Sequence, residues 1–156
     1  MKRPDQWLML AGFLVVTFGV TAIGGLATSG SVRYWYPTLA KPAWTPPSWL
    51  FGPVWTLLYA MMAVAAWMAW RRAGWSGGLV LFGVQLALNA AWSPLFFGWH
   101  RIDLALADIV LLWAAIMATT VAFWKATPVA GWLFVPYLLW VTFASGLNFA
   151  LWRLNA

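Results

Sequence analysis

Five long apolar segments, most of them separated by only a few polar residues, constrain the fold of this chain more than any other feature. About 20 consecutive apolar residues span the hydrocarbon core of a bilayer. Segments of this kind cover about residues 7–27, 53–70, 78–97, 104–124 and 130–151. We therefore predict an all-α, integral, multi-pass membrane protein, with a single bundle of five transmembrane helices that forms one domain over residues 1–156.

Composition and charge agree with this class. Hydrophobic residues make up 64% of the chain and charged residues only 8%, whereas a soluble domain has roughly 25% charged residues. The net charge of +6 comes from nine Lys and Arg, scattered at the ends of the apolar segments, against three acidic residues. Such cations anchor helix ends at lipid headgroups and form no stripe for a nucleic acid. The absence of Cys excludes disulfides, thiolate catalysis and Cys-ligated metals.

The first apolar segment follows Lys2 and Arg3, a pattern that also begins a secretory signal peptide. Its apolar stretch is longer than the roughly 7 to 15 residues of a signal peptide's central region. We therefore expect this segment to be the first transmembrane helix.

A long loop rich in Pro and Trp connects the first two helices. Residues 34–59 contain four Trp, three Tyr and five Pro. Each Pro removes a backbone donor and favours extended geometry in the residue before it, so we expect no helix to run through this stretch. On a membrane bundle, a semi-rigid aromatic segment of this kind predicts a lid over a site for a large, flat, apolar ligand.

The third segment has two different faces when it is projected as a helix at about 100° per residue. Its polar and aromatic face consists of Gln85, Asn89, Trp92 and Ser93. Amides within a span are costly unless they bond to other helices or line a cavity, and both interpretations stay open. Small residues on roughly the opposite face allow close packing, either against a second copy of the chain or against a helix of the same chain. These residues are Gly83, Ala87 and Ala90.

The fifth segment places four residues on one face, namely Trp140, Ala144, Leu147 and Asn148. Counting about 1.5 Å per residue puts Asn148 at a depth similar to that of Asp108 in the fourth segment. A buried carboxylate needs a partner, which predicts that Asp108 meets Asn148 or, one turn further on, Arg153. We interpret this cluster as structural.

The unusual residues converge on one side of the predicted bundle. Trp55 opens the second segment on that side, and the long loop enters there. The nearer half of the third segment carries Asn89, Trp92 and Ser93. This convergence predicts a ligand pocket that is roofed by the loop and lined by indole rings with a few amides and hydroxyls.

Three long strings stand in these segments: WYPTLAKPAWTPPSWLFGPVWTLLY, QLALNAAWSPLFFG and PYLLWVTFASGLNFALWR. With them the chain resembles the translocator protein family, also called tryptophan-rich sensory proteins or peripheral benzodiazepine receptors. The resemblance covers all five segments, in order and with matching connection lengths.

The resemblance implies a five-helix membrane receptor or sensor, usually a homodimer through the third helix. It implies binding of protoporphyrin IX or haem as a ligand, with no obligatory cofactor, and a contribution to porphyrin transport, regulation or light-dependent degradation. Sterols, lipid and isoquinoline carboxamide or benzodiazepine-type compounds are further implied ligands. The ligand-binding residues implied by similarity are Tyr36, Pro46, Trp55, Asn89, Trp92, Ser93, Trp140 and Ala144. Trp55 and Trp140 match the pair that is linked in bacterial relatives to light-dependent breakdown of porphyrin.

One departure from the family lies at the end of the fifth segment. Vertebrate members carry a cholesterol recognition motif there, with a Tyr at its centre. The matching residues 147–153 have Phe149 in that place, so the hydroxyl is missing. This argues against sterol binding, although an apolar groove would still accept lipid.

Two classes of function compete, a protein that binds porphyrin to move, sense or sequester it and an enzyme that degrades porphyrin. One His and three carboxylates in the whole chain give little support to hydrolytic or acid–base catalysis. In the enzyme reading, the bound porphyrin supplies the reaction by absorbing light and generating reactive oxygen, while Trp55 and Trp140 hold it or exchange electrons.

Few residues offer other chemistry. Lys41 and Arg33 are candidate partners of porphyrin propionates, and His100 is the only imidazole available to haem iron. The alternative for all three is a solvated or interfacial side chain. The sequence has no metal-site spacing, and five unlike spans without an internal repeat argue against a channel or secondary transporter.

Overall fold

Five long helices make up most of the chain. The computed structural model describes residues 5–156, apart from the side chain of Ala27, and Lys2 and Arg3 lie outside the described residues. The helices are α1 (Asp5–Tyr34), α2 (Ser48–Ala73), α3 (Gly77–Ser93), α4 (Ile102–Ala126) and α5 (Pro128–Asn155). Each one, α3 together with the turn that follows it, is long and apolar enough to cross a membrane. The predicted all-α, integral, multi-pass membrane protein is confirmed.

The helices extend beyond the predicted apolar segments. α1 continues to Tyr34 and α5 to Asn155, because backbone hydrogen bonding does not stop where hydropathy falls. α2 begins at Ser48, so the prediction that no helix runs through residues 34–59 is wrong for its second half. Pro53 lies in the second turn of α2, where its missing N–H removes a single helical bond. The residue before it is Gly52, which has no Cβ to clash with the ring.

α3 ends in a wide turn. After Ser93 the chain forms one π-helical turn over Pro94–Gly98, closed by a bond from the N–H of Trp99 to the carbonyl of Pro94 at 2.8 Å. Such turns shift the direction of the side chains that follow them. Phe96 and its neighbour Phe97 both face the inside of the bundle here.

The core lies between α2, α3, α4 and α5. α4 packs along α3 and α5, α2 lies against α5, and α1 packs on α2 and α3. The buried side chains at the centre include Met62, Ala66, Phe82, Ile116, Phe123, Phe134 and Tyr137. α1 contributes least, since 11% of its spanning segment is buried, against 28% to 39% in the other four helices. Most of α1 therefore faces lipid.

A single residue joins α4 to α5. Thr127 is extended (φ −158°, ψ 129°), and α5 begins at Pro128, whose missing N–H suits the first helical position. The two helices approach closely at Gly131. A Cβ added there would lie 2.9 Å from the Cα and 2.6 Å from the ring atom Cε3 of Trp124. This corner therefore requires a residue without a side chain.

Candidate ligand-binding site

A cavity of about 480 Å³ lies at the end of the bundle where the connection between α1 and α2 crosses the helices. We call residues 35–47 of this connection the lid. The cavity is lined by Tyr36 of the lid, the second half of α1, the first half of α2, the end of α3 with the turn that follows it, the second half of α5, and Ile109 and Leu112 of α4. Its volume falls within the range of roughly 300–1,000 Å³ that is usual for small-molecule sites. The cavity thus lies where the sequence predicts a ligand pocket.

The structure brings all but one of the predicted ligand-binding residues to this cavity. The lining includes Tyr36, Trp55, Asn89, Trp92, Ser93, Trp140 and Ala144. Pro46, which belongs to the lid, is half-buried but does not line the cavity. Trp55 lies in the second turn of α2 and not at its start, because this helix begins earlier than predicted. The contact of these residues with a ligand stays a prediction.

α1 contributes a wall that was not predicted. This wall consists of Thr21, Gly25, Thr28 and Val32. Their spacing of four, three and four residues keeps them on one helical face, and this stripe of small side chains was the signal available in the sequence. The Thr21 and Thr28 hydroxyls donate to carbonyls one turn earlier, at 2.7 and 2.8 Å. Both hydroxyls are thus satisfied within α1, which leaves the wall largely apolar.

Two of the three indole rings in the lining are supported by stacking. Trp55 stacks on Tyr59 with ring centroids 5.3 Å apart, and Trp92 stacks on Phe96 at 4.8 Å. Contacts of this kind add to the energy of apolar packing. The rings are therefore held in fixed positions and offer flat surfaces to a ligand.

The third indole belongs to Trp140 on α5. Its ring meets Phe51 of α2 edge-to-face at 5.8 Å and lies 5.5 Å from Phe143. Its Nε1 is buried and has no hydrogen-bond partner within residues 5–156. A buried indole N–H normally finds an acceptor. Trp140 therefore lines the cavity with its ring, while its N–H is enclosed by protein without an acceptor.

Asn89 lines the cavity and also joins three helices. Tyr59 of α2 donates its hydroxyl to Asn89 Oδ1 at 2.9 Å, and Asn89 Nδ2 donates to the hydroxyl of Tyr137 in α5 at 2.8 Å. The Tyr137 hydroxyl in turn donates to Gln85 Oε1 at 2.8 Å. Gln85 and Tyr137 are fully buried. The polar face of α3 thus serves both purposes left open by its sequence, interhelical bonding and the lining of a cavity.

Asn148 bonds to partners other than the one predicted. Trp92 Nε1 donates to Asn148 Oδ1 at 2.9 Å, and Asn148 Nδ2 donates to the carbonyl of Ile102 at 3.1 Å. Asp108 is buried, but its Oδ2 has no hydrogen-bond partner in the described part of the chain, and Arg153 is exposed. The structure thus differs from the predicted pairing of Asp108 with Asn148 or Arg153. Equal depth along two helices does not fix which way their side chains turn.

Two aromatic residues hold the first part of the lid on the turn that follows α3. Trp35 stacks on His100 with ring centroids 4.1 Å apart, and the Tyr36 ring lies 5.8 Å from that of Phe97. His100 Nε2 lies 3.2 Å from the hydroxyl oxygen of Ser31 near the end of α1. His100 does not line the cavity. Its imidazole therefore connects α1 and the lid to this turn and does not reach a ligand in the cavity.

Lys41 lies next to a cavity-lining residue. Its Nζ is 4.6 Å from the centre of the Tyr36 ring and donates to the carbonyl of Leu39 at 3.1 Å. Burial raises the pKa of the Tyr36 phenol, so the ring beside this cation stays neutral. Arg33, the other candidate propionate partner, is exposed in the last turn of α1.

The small-residue face of α3 points out of the bundle. Gly83 and Ala87 are exposed, and a Cβ added at Gly83 would meet no atom within 4 Å. Ala90 is half-buried. The neighbouring Val80 and Val84 are 68% and 47% exposed. This face therefore does not pack on another helix of the described chain and is open to lipid or to a second molecule.

The lining of the cavity has few titratable groups. Its titratable lining residues are the two phenols of Tyr36 and Tyr59. Between residues 5 and 156, no three His, Asp or Glu side chains are placed to hold a metal ion. Aromatic and apolar walls with a few polar groups are typical of sites for large apolar ligands.

Comparison with known proteins agrees with this architecture. The sequence profile of the TspO/MBR family matches residues 12–153. The chain is 40% identical to protein CrtK of Rhodobacter capsulatus, over 94% of this chain and 92% of that protein. It is 44% identical to tryptophan-rich protein TspO of Chlorobaculum tepidum, over 96% and 98%. It is 38% identical to the translocator protein of Homo sapiens, over 96% and 91%. The resemblance read from the three sequence strings is confirmed, and the chain belongs to the TspO/MBR family.

Proposed function

We propose that this protein binds a tetrapyrrole, protoporphyrin IX or haem, in the cavity under the lid, and that it thereby takes part in porphyrin transport, regulation or light-dependent breakdown. The observation that carries this proposal is the cavity of about 480 Å³ with three indole rings in its lining. Flat π-surfaces favour a flat aromatic ligand, and the apolar walls favour one of low polarity.

The polar groups of the site support a ligand held through its ring and its edge groups. Lys41 lies beside Tyr36 at the lid and would meet a carboxylate that projects from the cavity. The only His of the chain is bonded to Ser31 and stacked on Trp35, away from the lining. We therefore expect the metal-free and iron-containing macrocycles to bind alike, since no imidazole is placed to ligate the iron.

Titration of the detergent-purified protein with protoporphyrin IX in the dark tests the proposal. We expect saturable quenching of Trp fluorescence, weakened about tenfold or more by Trp140→Ala, because this change removes an aromatic wall of the cavity. Trp132→Ala is the matched control, since Trp132 is exposed on the same helix and does not line the cavity. Linear quenching that neither substitution alters would indicate partition of the pigment into detergent and would overturn the proposal.

A second candidate function is light-dependent breakdown of the bound porphyrin. Trp55 and Trp140 line the same cavity, so both indoles would lie next to a bound pigment that absorbs light. The same titration, continued under illumination in air, separates the two functions. If the protein promotes light-dependent breakdown, we expect Trp55→Phe and Trp140→Phe to retain quenching in the dark but to slow the loss of pigment under illumination. If the variants lost binding and breakdown together, Trp55 and Trp140 would serve only to bind the pigment. Breakdown of the pigment in the dark would contradict a photochemical reaction.

Other apolar ligands would compete for the same cavity. Isoquinoline carboxamide and benzodiazepine-type compounds have the aromatic area that the indole walls favour. Sterol has weaker support. Phe149, which stands where the vertebrate motif has Tyr, is 48% exposed and does not line the cavity, and its ring centroid lies 6.0 Å from that of Trp152. A sterol or lipid on that surface would therefore occupy a separate, external site.

We also propose that two copies of the chain pack through the exposed small-residue face of α3. In lipid, association depends on close packing, which Gly83 and Ala87 permit. The chain has no Cys, so single-Cys variants give an unambiguous readout. We expect Ala87→Cys to form a disulfide-linked dimer in membranes treated with copper–phenanthroline. Ala118→Cys on the exposed face of α4 is the control and should stay monomeric. Equal cross-linking of both variants would contradict this interface.

A further inference from the structure

One side chain satisfies both backbone polar groups of a residue in the middle of the lid. The N–H of Ala40 donates to Asn155 Oδ1 at 2.9 Å, and Asn155 Nδ2 donates to the carbonyl of Ala40 at 2.9 Å. The second hydrogen of the same Nδ2 is directed to the carbonyl of Leu151 at 2.8 Å. An Asn amide has one acceptor and two donors, so all of them are engaged. We call the paired bonds between Ala40 and Asn155 the Asn155 clamp.

The clamp differs from the other contacts of the lid. Hydrogen bonds of the lid otherwise join neighbours in sequence, as from the Thr38 hydroxyl to the carbonyl of Trp35 at 2.7 Å and from the Thr45 hydroxyl to that of Pro42 at 2.8 Å. Over residues 5–156, the clamp supplies the only hydrogen bonds from the lid to an element distant in sequence. The remaining distant contacts of the lid are apolar and include those of Leu39 as well as those of the aromatic rings. Such contacts are not directional, whereas paired hydrogen bonds fix both position and direction.

The clamp is adjacent to the part of the lid that covers the cavity. Lys41 directly follows Ala40 and lies 4.6 Å from the Tyr36 ring, and Tyr36 lines the cavity. Tyr36 is in turn joined to Ala40 by one short helical turn, Tyr36–Thr38. Displacement of Ala40 would therefore move both Lys41 and the Tyr36 ring that lines the cavity. Asn155 itself does not line the cavity, so any effect on a ligand passes through the lid.

We infer that Asn155 is a positioning residue that holds the lid closed over the cavity and sets the rate at which a bound ligand leaves. The inference rests on the proposed function for the identity of the ligand, but the attachment of the lid can be tested without any ligand. The clamp lies on the exposed surface, where each hydrogen bond contributes modestly. The Asn155 clamp would therefore open and reclose.

Hydrogen exchange and ligand release test the role of the Asn155 clamp in the same set of variants. Asn155→Ala removes both bonds, and Asn155→Asp keeps an acceptor for the N–H of Ala40 but cannot donate to its carbonyl. Leu154→Ala is the matched control, since Leu154 is the exposed neighbour on the same helix. We expect Asn155→Ala to speed amide exchange in residues 36–45 of the ligand-free protein and to release protoporphyrin IX to excess serum albumin about tenfold faster, with Asn155→Asp intermediate and the control unchanged.

Amide exchange and ligand release distinguish a failure of the inference about the Asn155 clamp from a failure of the proposed function. Unchanged exchange of the lid in Asn155→Ala would overturn the inference whatever the pigment does. Faster exchange with an unaltered release rate would also overturn it, because the ligand would then leave by a route that does not involve the lid. If the wild-type protein failed to bind porphyrin while lid exchange still rose in Asn155→Ala, the proposed ligand would be wrong and the attachment of the lid by Asn155 would stand.

Discussion

Replacement of Ala144 by Phe is expected to weaken the binding of protoporphyrin IX about 100-fold and to leave the fold intact, a loss that corresponds to about 2.8 kcal/mol. Ala144 lies on α5 in the wall of the cavity and is half-buried because its methyl group faces empty space. The phenyl ring would enter that space instead of clashing with the core, and it would occupy the volume that a flat ligand needs. The dark quenching titration measures the loss of affinity, and circular dichroism reports the helical content.

Ala114→Phe provides the control for this substitution. Ala114 is exposed on α4, so the same ring added there projects into lipid or detergent. We expect this variant to bind like the wild type. Wild-type affinity in Ala144→Phe would place the ligand outside the cavity. An equal loss in both variants would indicate a general effect of the added ring and not a filled site.

Replacement of Gly131 by Ala is expected to destabilise the bundle by about 3 kcal/mol. The added Cβ would lie 2.9 Å from the Cα of Trp124 and 2.8 Å from its Cβ, so backbone has to move and rotation of a side chain cannot relieve the overlap. The one-residue connection at Thr127 leaves little freedom for that movement. The measurement is the midpoint of thermal denaturation in detergent, followed by Trp fluorescence, which should fall by several degrees.

The same helix offers a matched glycine. Gly146 is exposed, and a Cβ added there meets no atom within 4 Å. Gly146→Ala should therefore leave the midpoint unchanged or raise it slightly, since Ala has the higher helix propensity. Equal midpoints for both variants would mean that α4 and α5 can separate at their corner without cost.

The number and order of the helices could be predicted because crossing a bilayer requires long apolar segments, and these are visible in the sequence. The helix ends could not, because a helix continues wherever its backbone bonds are made. Residues 28–34 are not apolar enough to register as a span, yet they extend α1 up to the contact of Ser31 with His100. The second apolar segment begins at Pro53, but α2 begins at Ser48, because a Pro that stands early in a helix and follows Gly52 costs little.

The site was predicted mainly from the indoles and amides that stand out in an apolar chain. Trp55, Trp92 and Trp140 were recognisable in this way, and all three line the cavity. The wall from α1 was missed because Gly25 and Thr28 have no chemistry that distinguishes them from helix-packing residues. The partners of Asn148 were missed because depth along a helix gives one coordinate, while hydrogen bonding depends on rotation about the helix axis as well.

The weak packing of α1 has a consequence for the affinity of the site. α1 provides one wall of the cavity, although 11% of its spanning segment is buried against protein. Helices accommodate the thickness of the surrounding hydrocarbon partly by tilting, and we expect the helix with the smallest buried share to respond most. We therefore expect the position of that wall, and with it the width of the cavity, to differ between bilayers of different thickness. The bilayer would then act as an effector of the site without any lipid entering it.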